Sequence, residues 1–213
     1  MGLYKLMEKE MKKYKLGVAI PYYRQNMLCE QLFNYLKEII DLQMIYDDLY
    51  GIVKVLVYEN DIGLSAARNR LMEALIPECE YITFIDADDR ISVNFLDNMV
   101  DSINNYHYDL YITDFFINQS KFDYEGLKNH VTGIAYRSEL IKGIRFNENR
   151  NIAEDMEFNN EVRKLNPTMM NIPCAYYYNY GANKDCLSYR YARDEIGEFI
   201  EGSDVKLGTN TNN

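Results

Sequence analysis

The sequence predicts an α/β domain in which a largely parallel sheet is flanked by helices. Short apolar runs rich in Val, Ile and Tyr, typical of strands buried on both faces, occur at residues 15–20, 52–58 and 81–85. Apolar residues with helical spacing alternate with these runs, at 28–46, 65–75 and 94–103. Strands that alternate with helices favour right-handed crossovers and parallel pairing.

The remaining elements complete a single domain over residues 16–193. Pro21 is expected to end the first strand, and Ser65 to cap the helix that follows the second. Further strands are expected at 109–117, 133–136 and 175–180, with loops at 124–129 and 146–151, a helical turn at 138–141 and a helix over 154–165. Residues 1–15 are expected to form a lead-in helix, and the tail 194–213 to be partly disordered.

Composition narrows the function classes. The formal net charge is −10, which argues against a broad nucleic-acid surface but leaves room for a local basic patch. Four dispersed cysteines without a CxxC pair favour reduced thiols in a cytoplasmic protein, and with only two histidines any metal must rely on oxygen ligands. No apolar run is long enough to span a bilayer. Peripheral attachment to a membrane stays open through the lead-in helix.

Three carboxylates follow the strand at 81–85, in the run FIDADD at 84–89. In an open α/β sheet, ligands bind at the carboxyl ends of the strands. Asp86 and Asp88 would point the same way in an extended chain, and paired carboxylates of this kind suit Mg²⁺ or Mn²⁺ shared with phosphates. The alternative is a plain acidic turn after a core strand.

Four segments in this order resemble the inverting, family-two type glycosyltransferases with the GT-A fold, whose central sheet is Rossmann-like. They are VAIPYY at 18–23, GLSAARN at 63–69, FIDADD at 84–89 and the pair RFNE and EDMEF within 145–158. LSYR at 187–190 is similar to the family's closing loop. The resemblance covers about residues 16–190, and divides the domain into a donor half, about 16–90, and an acceptor half, about 91–193.

The resemblance implies a sugar transfer from a nucleotide-sugar donor to an acceptor hydroxyl, with inversion. Asp155, beside Glu154, would be the general base; simple helix capping is the alternative for Asp155. Mn²⁺ or Mg²⁺ would be held by Asp86 and Asp88, with Asp89 as a further candidate. The donor-binding residues that the resemblance implies are Pro21, Tyr22, Arg24, Glu59, Asp61, Arg68, Asp86, Ala87, Asp88, Ser188 and Arg190.

One departure from the family concerns the nucleotide. The Asp-Asp-Gly-Ser motif that reads the base is absent, so Glu59 or Asp61 stands in for it, or a strand–helix unit has been trimmed. A UDP-sugar is the default donor and a glycan the expected acceptor. The alternatives are a non-catalytic nucleotide-sugar or glycan-binding module and a sugar nucleotidyltransferase.

Overall fold

The computed structural model describes residues 14–22, 53–59, 62–117, 120–122, 130–150 and 153–179. Several predictions concern segments outside these described residues, namely the lead-in helix up to residue 13, the 28–46 helix, the 124–129 loop, the closing loop at 187–190 and the tail.

The described chain forms one mixed sheet of eight strands and four helices. The strands are β1 (Tyr14–Tyr22), β2 (Val53–Glu59), β3 (Cys79–Phe84), β4 (Arg90–Ile91), β5 (Leu110–Ile117), β6 (Ser120–Phe122), β7 (Ile134–Arg137) and β8 (Met169–Tyr178). The helices are α1 (Leu64–Leu75), α2 (Phe95–Asn105), α3 (Ser138–Ile141) and α4 (Glu154–Lys164).

The sheet order is β2-β1-β3-β7-β5-β8-β4, with β6 beside β5. Strand β1 pairs in parallel with both β2 and β3, as the sequence predicts. Strand β7 runs antiparallel to β3 on one side and to β5 on the other, and β5 pairs in parallel with β8. The predicted α/β class is therefore confirmed, with a parallel half formed by β2, β1 and β3 that is joined through β7 to a mixed second half.

Two apolar clusters cover the two faces of the sheet. Tyr81 and Ile85 belong to the cluster that α2 completes, whereas Ile82 and Phe84 belong to the cluster that α1 and α4 complete. Consecutive side chains of a strand point to opposite faces, so β3 is buried on both, which is what its unbroken apolar run predicts. Burial of Phe84 alone contributes about 1.5–3 kcal/mol.

Two prolines lie inside strands, although the sequence predicts that the first strand ends at Pro21 and that the last strand begins after Pro173. Strand β1 continues through Pro21, because beyond Ala19 it has only β2 as a neighbour and no N–H is needed on the other side. Strand β8 begins at Met169 rather than at residue 175 and contains Pro173. The register with β5 shifts between Thr113 and Asp114, and proline is tolerated at such a bulge.

Among the described helices, none has both the length and the apolar character that crossing a bilayer requires.

Gly133 offers a stability test of the junction between β3, β5 and β8. Its φ is +72°, and an added Cβ would lie 2.7 Å from Thr113 Oγ1 and 2.9 Å from Tyr176 Cβ. Gly133→Ala should therefore lower the free energy of unfolding by about 2–4 kcal/mol, measured by urea denaturation. The matched control is Gly143→Ala, where a Cβ meets nothing within 4 Å. Equal stability of the two variants would contradict this packing.

Candidate active site

Helix α1 begins at the GLSAARN motif with Gly63 as its N-cap. Gly63 has a φ of +88°, a conformation that glycine adopts without steric cost. The prediction that Ser65 caps this helix is wrong, because Ser65 lies inside the first turn. Its hydroxyl instead donates to the carbonyl oxygen of Arg150, 3.3 Å away. The serine thus ties the helix to the loop that precedes α4.

Asn69 fastens the same loop to α1 more firmly. Its Nδ2 donates to the carbonyl oxygen of Phe146 and to Glu148 Oε1, both at 2.9 Å, and its Oδ1 accepts from the N–H of Phe146 at 2.9 Å. Asn69 is buried, so unpaired amide groups there would be costly. Two motifs that lie far apart in sequence are consequently in direct contact.

Arg68 joins the acidic motifs to each other. Its side chain is fully buried, and Nη2 donates to both oxygens of Asp86, at 2.9 and 3.2 Å. Nη1 donates to Glu154 Oε1 at 3.0 Å and also to Asp155 Oδ1. The guanidinium lies over the ring of Phe146, 5.4 Å from its centroid. We call this set of Arg68, Asp86, Glu154 and Asp155 the arginine junction.

The charges of the arginine junction depend on each other. Burial alone would lower the pKa of Arg68, but Asp155, Asp86 and Glu154 outweigh burial and raise it above its ordinary value. Burial and the charge of Asp155 raise the pKa of Glu154, an effect that Arg68 partly opposes. Arg68 is therefore a permanent cation, whereas Glu154 holds its proton more strongly than an exposed glutamate.

The carboxylates after β3 lie on a turn, in which the N–H of Asp89 donates to the carbonyl oxygen of Asp86 at 3.1 Å. The extended-chain argument for Asp86 and Asp88 is therefore wrong, since residues 87 and 88 are turn residues. The two carboxyl groups are nevertheless close enough to interact. Burial, followed by the charge of Asp86, raises the pKa of Asp88 to about 6. Ala87 between them packs against the core cluster that contains Ile85.

Asp89 fixes this turn to the end of β8. It is 1% exposed, its Oδ2 accepts from the Tyr176 hydroxyl at 2.5 Å, and its Oδ1 accepts from the N–H of Asn179 at 2.9 Å. The Tyr176 hydroxyl also accepts from the N–H of Asp86 at 3.1 Å. Burial raises the pKa of Asp89 well above its usual range, as do Asp86 and Asp88. Asp89 is thus buried and bonded within the protein, whereas Asp86 and Asp88 are partly exposed and remain the candidate metal ligands.

Asp155 lies in the first turn of α4, two residues after the N-cap of that helix. Ala153, the N-cap, is in the left-handed region with φ 60°. Asp155 Oδ2 accepts a long hydrogen bond of 3.4 Å from the N–H of Val131, while Oδ1 faces Arg68. The oxygens are thus directed across to other elements rather than back to the helix, which favours a site role over simple capping.

His130 and Tyr176 lie beside the site, although the sequence predicts no functional role for either. The His130 ring stacks on Phe115 with centroids 4.6 Å apart, and Asn159 Nδ2 donates to the His130 carbonyl oxygen at 2.8 Å. Burial lowers the pKa of His130, and the nearby charges of Asp155 and Asp86 oppose this. Neither residue belongs to a motif with recognisable spacing, so only the fold brings them here.

The register of the sheet aligns part of the predicted donor site. Tyr22 pairs with Glu59, and Pro21 with Tyr58, at the carboxyl ends of β1 and β2, beside the end of β3 where Asp86 follows. Pro21 is buried. The side chains of Tyr22 and Glu59, together with all of Arg24, Asp61, Ser188 and Arg190, lie outside the described residues. Donor contacts by these residues stay predictions.

The residues fit a metal that is shared with a ligand, but not a closed metal centre. Within the described part of the chain, no three His, Cys, Asp or Glu side chains are grouped to enclose an ion. Asp86 and Asp88 supply two half-buried carboxylates, and burial together with the charge of Asp86 raises the pKa of Asp88. Oxygens from a bound diphosphate would have to complete such a site.

Comparison with known proteins assigns the chain to a family. Residues 34–185, well over half of the chain, match the family model for Glycosyl transferase family 2. The chain belongs to glycosyl transferase family 2. No curated protein matches it.

Solved structures show the fold of this family 2 domain. The crystal structure of S. aureus TarS 1–349 is 20% identical, with a TM-score of 0.55, over 78% of this chain and 60% of that one. TarS 1–349 in complex with UDP-GlcNAc gives 20% identity and a TM-score of 0.58, over 79% of this chain and 59% of that one. This chain thus spans less than two thirds of TarS 1–349. At these identities the likeness establishes the fold alone.

The raised pKa of Asp88 has a measurable consequence for stability. The folded pKa of about 6 exceeds the ordinary aspartate value of 3.8, so ionised Asp88 destabilises the fold. The penalty is absent below the unfolded pKa, grows as the pH rises, and is complete above about pH 6. Asp88→Asn should raise the free energy of unfolding by about 1–3 kcal/mol at pH 7.5, and by roughly half as much at pH 5, in urea denaturation.

The matched control for this prediction is Asp101→Asn, an exposed carboxylate on α2. Its effect should stay within about 0.5 kcal/mol at both pH values. A destabilised Asp88→Asn variant, or a gain that is the same at pH 5 and pH 7.5, would contradict the assigned environment of Asp88.

Proposed function

We propose that this family 2 domain transfers a sugar from a nucleotide-sugar donor to an acceptor hydroxyl with inversion at the anomeric carbon. The arginine junction is the observation that carries the proposal. It holds Asp86, on the turn at the carboxyl edge of the sheet, and Asp155, at the start of α4, on one guanidinium. A donor-side carboxylate and a candidate base are thereby adjacent, as a direct displacement between two bound substrates requires.

The donor is a nucleotide sugar, with UDP as the default nucleotide. TarS, whose fold this chain shares, has been solved with UDP-GlcNAc and with UDP. Pro21, Tyr22 and Glu59 lie along the same sheet edge as Asp86, where ligands of α/β sheets bind.

Asp155 is the general base of the proposal. In an inverting displacement the acceptor hydroxyl must lose its proton as it attacks the anomeric carbon from the face opposite the leaving group. Asp155 Oδ1 is engaged by Arg68, whereas Oδ2 accepts a long hydrogen bond of 3.4 Å from the N–H of Val131 among the described residues. Oδ2 thus keeps lone-pair capacity for the hydroxyl proton. Glu154 shares the guanidinium, and its raised pKa makes it hold its proton more strongly than an exposed glutamate.

Asp86 and Asp88 would hold Mn²⁺ or Mg²⁺ together with the diphosphate. When bound, such an ion offsets the negative charge that develops on the departing nucleoside diphosphate. The protein keeps these carboxylates in place through Asp89, whose bonds to Tyr176 and Asn179 fix the turn. Asp86, which would hold the ion, is bonded to Nη2 of Arg68, whereas the proposed base Asp155 is bonded to Nη1.

The acceptor class and the location extend the proposal. A glycan hydroxyl is the expected acceptor, and the acidic net charge of −10 disfavours a nucleic acid. A cytoplasmic location, expected from the dispersed cysteines of the sequence, belongs to the same proposal.

A donor screen tests the proposal directly. Purified protein with Mn²⁺ should release nucleoside diphosphate from one member of a nucleotide-sugar panel, in transfer or in slow donor hydrolysis. EDTA should abolish the release and added Mn²⁺ or Mg²⁺ should restore it. Asp155→Asn should lower turnover about 10²–10⁴-fold because the general base is lost, while calorimetry shows unchanged donor affinity.

Asp97→Asn, an exposed carboxylate on α2, is the control and should keep full turnover. Full turnover by Asp155→Asn would show that Asp155 is not the general base. Donor binding without turnover by the wild type would favour the non-catalytic binding module, and release of pyrophosphate would favour the nucleotidyltransferase.

A further inference from the structure

We infer that Arg68 is a positioning residue that aligns the base Asp155 with the donor-side carboxylate Asp86, and that it does not bind the donor phosphates. The inference deepens the proposed function and rests on it. It replaces the role that the family resemblance implies for Arg68, which is contact with the donor.

The hydrogen bonds of Arg68 carry the first step. A guanidinium has five N–H donors in a rigid planar fork. Both terminal nitrogens are engaged by carboxylates, since Nη2 donates to the oxygens of Asp86 and Nη1 donates to Glu154 and to Asp155. The Nε–H is buried and has no hydrogen-bond partner among the described residues. Every hydrogen bond that Arg68 makes among the described residues thus goes to a carboxylate of the protein.

Burial carries the second step. The Arg68 side chain is 0% exposed, whereas those of Asp86 and Asp155 are 24% and 16% exposed. The guanidinium is thus closed to solvent, whereas the two carboxylates bonded to it are partly open to solvent. A ligand that enters the site meets the carboxylates first, and a phosphate could reach Arg68 only after displacing them.

The planar fork explains why arginine suits this position. Nη1 and Nη2 bind carboxylates from different elements, so one rigid group fixes the turn after β3 relative to the start of α4. The ring of Phe146 supports the guanidinium from one side, at 5.4 Å. A lysine would keep the charge but offers a single nitrogen, which cannot span both groups in the same geometry.

The position of Asp155 relative to Asp86 matters because the rate of a nucleophilic displacement depends on the distance between the reacting groups. A misplacement of about 1 Å between reacting groups can lower a rate about 100-fold without weakening ground-state binding. Arg68 would therefore influence turnover through Asp155 and Asp86, and would leave the affinity for the nucleotide nearly unchanged.

The test compares Arg68→Lys with Arg70→Lys, which lies on the same helix with 57% of its side chain exposed and pairs with Glu73. Wild-type turnover of a nucleotide sugar is established first. Arg68→Lys should lower kcat about 100-fold, while the Kd for UDP with Mn²⁺, measured by calorimetry, changes less than about threefold. Arg70→Lys should match the wild type in both.

Loss of UDP affinity by about tenfold or more with kcat retained would overturn the inference, because that is the effect expected for a phosphate ligand. An unchanged kcat and Kd would overturn it as well. Either result leaves the proposed function standing if Asp155→Asn is inactive. A wild type that neither binds UDP nor releases it from any donor would overturn both.

If Arg68→Lys does not fold, a crystal structure of the wild type with UDP and Mn²⁺ decides the question. The inference predicts that Nη1 of Arg68 remains on Asp155 and that Nη2 remains on Asp86. A phosphate oxygen within hydrogen-bond distance of either Nη atom would overturn it.

Discussion

One buried guanidinium sets the geometry of the site. Removal of a charge from water is costly, and a buried cation persists only where carboxylates compensate it. Arg68 is fully buried and has three carboxylates from two motifs around it. The compensation works in both directions, since those carboxylates would be destabilised without the cation. The turn after β3 and the start of α4 are therefore held together by a mutual electrostatic requirement.

The rest of the structure keeps the arginine junction in register. Asn69 and Ser65 bind the loop before α4 to α1, and Phe146 on that loop stacks on Phe158 of α4 with ring centroids 4.2 Å apart. On the other side, Asp89 ties the turn after β3 to the end of β8. Each carboxylate of the junction thus lies on an element anchored by packing or hydrogen bonds of its own. Such support is what keeps a catalytic geometry within the tolerance that the chemistry needs.

The sequence predicts the features that depend on local hydrophobic periodicity and on the residues at the ends of strands. The double-sided burial of β3 and the carboxylates at its carboxyl end follow from one short stretch, and the turn of α3 is predicted at its observed bounds of Ser138–Ile141. The sequence does not predict partners that lie far apart. Arg68 and Glu154 are separated by 86 positions, and Asp89 and Tyr176 by 87. Local propensity was also misleading where tertiary contacts decide, as for Ser65, which bonds to a loop, and Pro173, which occupies a bulge.

The stability of the arginine junction itself is the most direct measurement. Arg68→Met leaves buried carboxylates unpaired, and should lower the free energy of unfolding by about 3–5 kcal/mol at pH 7.5 in urea. Adding Asp86→Asn and Asp155→Asn to Arg68→Met removes the unpaired charges and should recover at least about half of that loss. If the triple variant is no more stable than Arg68→Met alone, buried charge pairing does not hold the two motifs together and the account is wrong.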